Sequence, residues 1–134
     1  MDIEKILHEI DERHQFSNEA LVQKRFDDYI NIFSDNLIYK QLNGKIIDKK
    51  QLTKDISSYF SRLKIATSHY ERKDFSIEGN RFTETMIQKA TASIRIFFFF
   101  RKNWTVEREG KYQWIKNGDN WKIETVEVLN ERVY

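Results

Sequence analysis

His69 is the residue in this sequence whose type and predicted position best suit it to chemistry. It lies in a β-rich stretch and shares strand parity with Phe75 and Ile77, which we expect to face the interior if no bulge intervenes. A histidine on an interior face can exchange a proton near neutral pH. The pattern therefore predicts His69 as a general acid or base, with a hydrogen-bonded core histidine as the alternative.

A second histidine and four aromatic residues are candidates for lining a pocket. Buried tyrosine and tryptophan offer a hydrogen bond at an otherwise apolar wall, which suits flat and partly polar ligands. His14 ends the first apolar stripe of the chain and either faces the same cavity or is a structural histidine. The aromatic candidates are Tyr39, Trp104, Tyr112 and Trp114, and plain packing is the alternative for each of them.

Several classes of function are disfavoured by what the sequence lacks. It has no cysteine, no His-Glu-x-x-His motif and no glycine-rich phosphate loop, so we expect neither a metal site nor a bound cofactor. The formal net charge of +2 gives no general reason to expect a nucleic acid partner. The basic and aromatic "RKNW" stretch is followed by the acidic "EREG" and is interpreted as a solvated loop. Without a signal peptide or a long apolar run, the chain is predicted to be cytoplasmic and not membrane-bound.

The order of predicted elements gives the fold class. Apolar residues at helical spacing predict one or two N-terminal helices, divided or bent at "FSNEA", and a further helix that begins at Asp48. A short strand, "NLIYKQL", lies between them. From Ile65 onward, β-branched and aromatic residues predict long strands with turns at "EGN" and "NGDN". The 134 residues therefore form one α+β domain, residues 1–134, with helices packed on an antiparallel sheet.

The run "IRIFFFF" raises the question of what covers both faces of one strand. If it is a single strand, Ile94, Ile96, Phe98 and Phe100 point one way, and Phe97 and Phe99 point the other way. One face packs under the helices, and a second copy of the chain is predicted to cover the other face. The alternative is a sheet that curls enough to bury both faces within one chain.

The assembled motifs resemble the SnoaL-like members of the NTF2-like superfamily. The resemblance is carried by "ALVQKRFDDYINIFSDNLIYKQLNGKIIDKKQL", then "TSHYERKDFSIEGNRF", then "EGKYQWIKNGDNWKI", and it covers nearly the whole chain. It implies a cone-shaped fold, in which a strongly bent antiparallel sheet wraps around helices and leaves a pocket between them. Homodimers that form through the sheet are common in this family.

The resemblance also implies candidate chemistry, since the superfamily includes isomerases, cyclases and dehydratases beside proteins without catalysis. The Ser-His start of a strand is similar to the dehydratase-like branch, and it carries over only onto His69. Isomerases and cyclases use a carboxylate in an apolar site. Glu127 follows Trp121 and Ile123 in strand parity and is the preferred candidate, whereas Asp35 is interpreted as a cap or turn residue.

These observations lead to one predicted function and one alternative. The first is a homodimeric protein that binds a small organic molecule and, if catalytic, acts as a lyase or isomerase without a cofactor. His69, Tyr39 and Glu127 are its predicted catalytic groups, and His14, Trp104, Tyr112 and Trp114 are its predicted ligand-binding groups. The alternative is a non-catalytic module for ligand binding or protein assembly.

Overall fold

The computed structural model describes residues 2–60, 63–97 and 100–134. Helices and short strands come first and long strands follow, which confirms the predicted α+β class. The elements are α1 (Ile3–Val22), α2 (Phe26–Ile30), β1 (Phe33–Lys40), β2 (Ile46–Ile47), α3 (Lys49–Phe60), β3 (Leu63–Glu78), β4 (Arg81–Phe97), β5 (Phe100–Asn117) and β6 (Asn120–Val133). None of the described helices has the length and apolar character needed to cross a bilayer.

α1 and α3 begin where short acidic side chains cap them, whereas α2 has no side-chain cap. The Asp2 carboxylate accepts a hydrogen bond from the backbone N–H of Lys5 at 3.1 Å and starts α1, which then runs unbroken through "FSNEA". The helix therefore continues past Ser17 instead of restarting there. The Asp48 carboxylate accepts from the backbone N–H of Gln51 at 2.8 Å, so α3 begins at the predicted position.

The six strands form one strongly curved, mixed sheet in the order β2-β1-β6-β5-β4-β3. Four neighbouring pairs are antiparallel, but β1 and β6 run parallel, so the expectation of a purely antiparallel sheet is wrong. Hairpin signals identify only strands that are adjacent in the chain. The β1–β6 pair joins distant segments, and no local signal announces it.

The phenylalanine run is divided between two strands. β4 ends at Phe97 and β5 begins at Phe100, and these two residues pair across the hairpin. The chain therefore reverses direction within the run, and the account of one strand with two phenylalanine faces is wrong. Phe98 and Phe99 lie outside the described residues. The same reversal places "RKNW" inside β5, not in a loop.

The core lies between the helices and the concave side of the sheet, which we call the inner face. Ile10 of α1 and Phe82, Trp114 and Val126 of the sheet are all fully buried there. Trp121, which follows the β5–β6 turn, is also buried. The opposite side of the sheet is called the outer face.

Among the register shifts of the sheet, three decide on which face His69, Glu127 and Glu131 lie. Lys73 is an extra residue in β3, and Glu124 and Leu129 are extra residues in β6. Each such bulge reverses the alternation of the strand, because side chains on a regular strand change face at every residue. Gly110 lies beside one of these shifts, and the extra residue is on the neighbouring strand.

Candidate functional site

A cavity of about 690 Å³ lies between the helices and the end of the sheet formed by β1, β5 and β6. α1, α2 and α3 each contribute to its wall, and so does the turn that follows β1. The walls are mainly apolar, and the polar groups are few. The principal apolar lining residues are Leu21, Phe33, Leu52, Ile56, Phe60, Ile65 and Val128.

Arg108 lies where this cavity meets a narrower inner crevice, because its side chain lines both. Its Nε donates to Oε2 of Glu131 at 3.0 Å, and its Nη1 donates to the Tyr39 hydroxyl at a longer 3.4 Å. The cross-strand pairing of Arg108 with Glu131 sets this arrangement, since the Leu129 bulge turns Glu131 towards the cavity. The Arg108 side chain as a whole remains 35% exposed.

Three tyrosines, Tyr29, Tyr39 and Tyr112, lie close enough to the Arg108 guanidinium to interact with it electrostatically. Burial would lower the pKa of Arg108, but its attraction to Tyr39, Tyr112 and Glu131 outweighs that effect and raises the pKa above its usual range. Burial raises the pKa of Tyr29 to about 12, and it also raises the pKa of Tyr112. The arginine therefore stays cationic at neutral pH, and both phenols keep their protons.

The inner crevice encloses only about 40 Å³. That volume holds about one water molecule or a very small ligand group. His14, Tyr70, Tyr112 and Trp114 line it, together with the polar side chains Asn18 and Gln88. A complete substrate therefore does not fit beside His14 in this structure.

Glu84 is the fully buried centre of a hydrogen-bond network at the base of the crevice. Its carboxylate accepts from Nε1 of Trp114 at 2.6 Å and from Nε of Arg72 at 2.9 Å, and it is joined to Nε2 of His14 at 2.7 Å. Burial alone would raise the pKa of Glu84, but the His14 and Arg72 contacts outweigh burial and lower it. Arg72 also donates to Asp11 at 2.7 Å, so the network joins α1 to the sheet.

His69 does not reach either cavity. The structure places it on the outer face, opposite Lys89, with an exposed side chain, so the predicted inward orientation is wrong. The Lys73 bulge is the physical reason, because it breaks the parity that links His69 to Phe75. Its neighbour Tyr70 faces inward instead and packs on the His14 ring, with 4.1 Å between ring centroids.

Glu127 also lies on the outer face, so its predicted inward orientation is wrong as well. It pairs with the exposed Lys111 and lines neither cavity. The Glu124 bulge reverses parity between Ile123, which is buried, and Glu127. Asp35 lies within β1, so its interpretation as a cap or turn residue is wrong; it is exposed and accepts from Lys49 at 3.1 Å.

The remaining predicted residues divide into two groups. Tyr39 lines both cavities, and His14, Tyr112 and Trp114 line the inner crevice, so the fold brings these four together. Trp104 lies on β5 opposite Ala92 and lines neither cavity.

Sequence reasoning missed the two charged residues that organise the site. Glu84 stands between Phe82 and Met86 at strand spacing, and a carboxylate at a core position of a strand was the available signal. Arg108 similarly shares parity with Tyr112 and Trp114. In the part of the chain that the structure describes, no cluster of three histidine or acidic side chains could hold a metal ion.

Comparison with known proteins identifies the fold. No family model matches the chain, and no curated protein matches it. Similar solved structures include NTF2-like proteins from Prochlorococcus marinus (TM-score 0.73, 11% identity, 98% of this chain and 95% of that chain) and Cytophaga hutchinsonii (TM-score 0.70, 11% identity, 96% and 98%). Another is a proposed Ca/calmodulin-dependent kinase II association domain from Exiguobacterium sibiricum (TM-score 0.68, 9% identity, 96% and 93%). The chain therefore has the NTF2-like fold, a scaffold that often binds small molecules.

Proposed function

We propose that this chain is a SnoaL-like protein that binds a small organic molecule in the cavity beside Arg108. The observation that carries the proposal is the cavity itself, with about 690 Å³ of space and mainly apolar walls. Sites for small molecules are typically concave, largely apolar and roughly 300–1,000 Å³ in volume. Apolar surface on the ligand would supply most of the binding free energy.

Uptake of an uncharged aromatic dye, phenylnaphthylamine, tests this proposal by fluorescence titration. We expect saturable binding to the wild type and loss of binding in Ile56→Trp, because the larger side chain fills the cavity from α3. Ser57→Trp is the matched control, since Ser57 is the next residue on α3 and is exposed. Absence of saturable binding to the wild type, or equal binding by Ile56→Trp, would contradict the proposal.

Proton-transfer catalysis is a second candidate function, and the His14–Glu84 pair is the observation that favours it. The 2.7 Å contact orients the His14 ring at the inner crevice, which also reaches Tyr39. A lyase or isomerase step without a cofactor would then use His14 in place of the predicted His69. The small crevice limits the reacting part of the substrate to a few atoms.

Hydrogen exchange tests this second function without knowledge of the overall reaction. Carbonyl compounds that bind the protein are incubated in D₂O, and deuterium uptake beside the carbonyl is followed by NMR. Catalysis predicts faster exchange with the wild type than with His14→Gln at equal ligand occupancy. Exchange at the uncatalysed rate with the wild type would leave ligand binding as the function.

We also propose a homodimer that forms through the outer face of the sheet. The SnoaL-like resemblance supports it, and Ile38, with 52% of its surface exposed, and the half-buried Ile87 and Ile115 give this face apolar groups. One of the similar structures is described as an association domain, which fits use of this fold for assembly.

A further inference from the structure

The surroundings of Arg108 point to a particular chemical class of ligand, an inference that rests on the proposed binding function. We propose that the cavity binds an organic acid, an apolar molecule whose single anionic group is held by Arg108 and the neighbouring tyrosine hydroxyls. Arg108, Tyr29, Tyr39 and Tyr112 are called the anion niche below.

The first argument is the unused hydrogen-bonding capacity of the guanidinium. Glu131 accepts only from Nε, and Tyr39 accepts from Nη1 at the long distance of 3.4 Å. No other described residue accepts a hydrogen bond from the Arg108 side chain. A planar guanidinium matches the two oxygens of a carboxylate in a bidentate contact, so its Nη groups are suited to an anionic ligand.

The second argument comes from the tyrosines. Among the described residues, the hydroxyls of Tyr29 and Tyr112 have no hydrogen-bond partner, although both residues line the inner crevice. Neither hydroxyl is a fully buried atom without a partner, and both side chains line the inner crevice. Because both phenols stay protonated at neutral pH, each can donate to a ligand oxygen.

The third argument is the position of the niche relative to the apolar walls. Tyr29, Tyr39 and Arg108 line both spaces, whereas Leu52, Ile56 and Phe60 line only the wide cavity. A ligand that places its anionic group in the niche can therefore bury its apolar part against these walls. Glu131 opposes an anion by charge repulsion, and its single contact at Nε leaves room for the ligand on the Nη side.

Two related dyes provide the test, because anilinonaphthalene sulfonate is phenylnaphthylamine with one added sulfonate. We expect Arg108→Gln to weaken binding of the sulfonate dye by about tenfold or more, since a charge-assisted hydrogen bond is lost. Binding of the uncharged parent should change little. Glu131→Gln should strengthen binding of the sulfonate dye and leave the parent unchanged, because the competing negative charge is removed.

Controls separate the niche from general charge effects. Arg132→Gln is the matched control, because Arg132 adjoins Glu131 in sequence but is exposed and pairs with Glu107 outside the cavity. Lys24→Gln tests the other cation at the cavity wall. Circular dichroism of each variant checks that it is folded.

The two proposals fail in different ways. If the uncharged parent dye does not bind the wild type, the proposed binding function is wrong. If the parent binds and Arg108→Gln weakens both dyes equally or neither dye, the binding function stands and the anion niche is wrong. A loss of sulfonate binding in Lys24→Gln but not in Arg108→Gln would also overturn the assignment.

Discussion

The role of a single residue in this protein depends more on the residues that it contacts than on its amino-acid type. Tyr39, Tyr112, Trp114 and His14 could be chosen from the sequence because aromatic and histidine side chains are frequent in ligand sites. Arg108 and the charge network could not, because an arginine or glutamate in a strand is usually solvated. Only the register across strands shows that Arg108 meets Glu131 inside the cavity.

Removing the charge at the centre of the network should destabilise the fold strongly. Glu84→Gln cannot serve Arg72, His14 and Trp114 as an anion, and breaking a buried ion pair costs about 3–5 kcal/mol. Urea unfolding at pH 7 measures the free energy change. Glu71→Gln is a suitable control, because Glu71 is an exposed residue on the same sheet. Equal losses in both variants would contradict the central role of Glu84.

Stability should also depend on pH through this carboxylate. The pKa of Glu84 in the folded protein is lower than the ordinary value of 4.5. Its contribution to the free energy of unfolding is therefore complete above pH 4.5. The contribution is lost as the pH falls through the folded-state pKa. The difference in unfolding free energy between wild type and Glu84→Gln should therefore narrow in acid below pH 4.5, and a constant difference would refute the linkage.

Bulges are the reason that the elements were easier to predict than the faces of their strands. Helical spacing, the Asp48 cap and the glycine turns identified the helices and two hairpins from local sequence. The parity of His69 and Glu127 failed because Lys73 and Glu124 are inserted into otherwise regular strands. A bulge is a relation between two strands, and one strand's sequence does not reveal its partner's register.

Because Gly110 has no side chain, the Tyr112 ring and the Glu127 backbone can lie close to it beside such a bulge. A Cβ atom added there would lie 2.9 Å from Cε2 of Tyr112 and 3.4 Å from the carbonyl oxygen of Glu127. We expect Gly110→Ala to lower the unfolding free energy by about 1–3 kcal/mol through overpacking. Dye binding should also weaken, because Tyr112 must move. Lys111→Ala, at the exposed neighbouring position, should show neither effect in unfolding or titration experiments.

At the scale of the whole molecule, the outer face of the sheet is the surface on which the dimer proposal depends. Ile87→Arg would place a charge in that interface and should convert a wild-type dimer into a monomer, as measured by light scattering with size-exclusion chromatography. Its cross-strand partner Glu109 also lies on this face, so Glu109→Gln serves as a mild control. A monomeric wild type at micromolar concentration would remove the proposal.

The position of β6 governs how the protein forms during synthesis. This strand lies between β1 and β5 in the sheet, yet it leaves the ribosome after both of them. Until it arrives, a nascent chain has two open strand edges, which are prone to pair with other chains. Val128 and Glu131 belong to β6, so the cavity wall is incomplete at this stage. A ligand that binds this cavity therefore stabilises the completed fold but cannot protect the edges of the emerging chain.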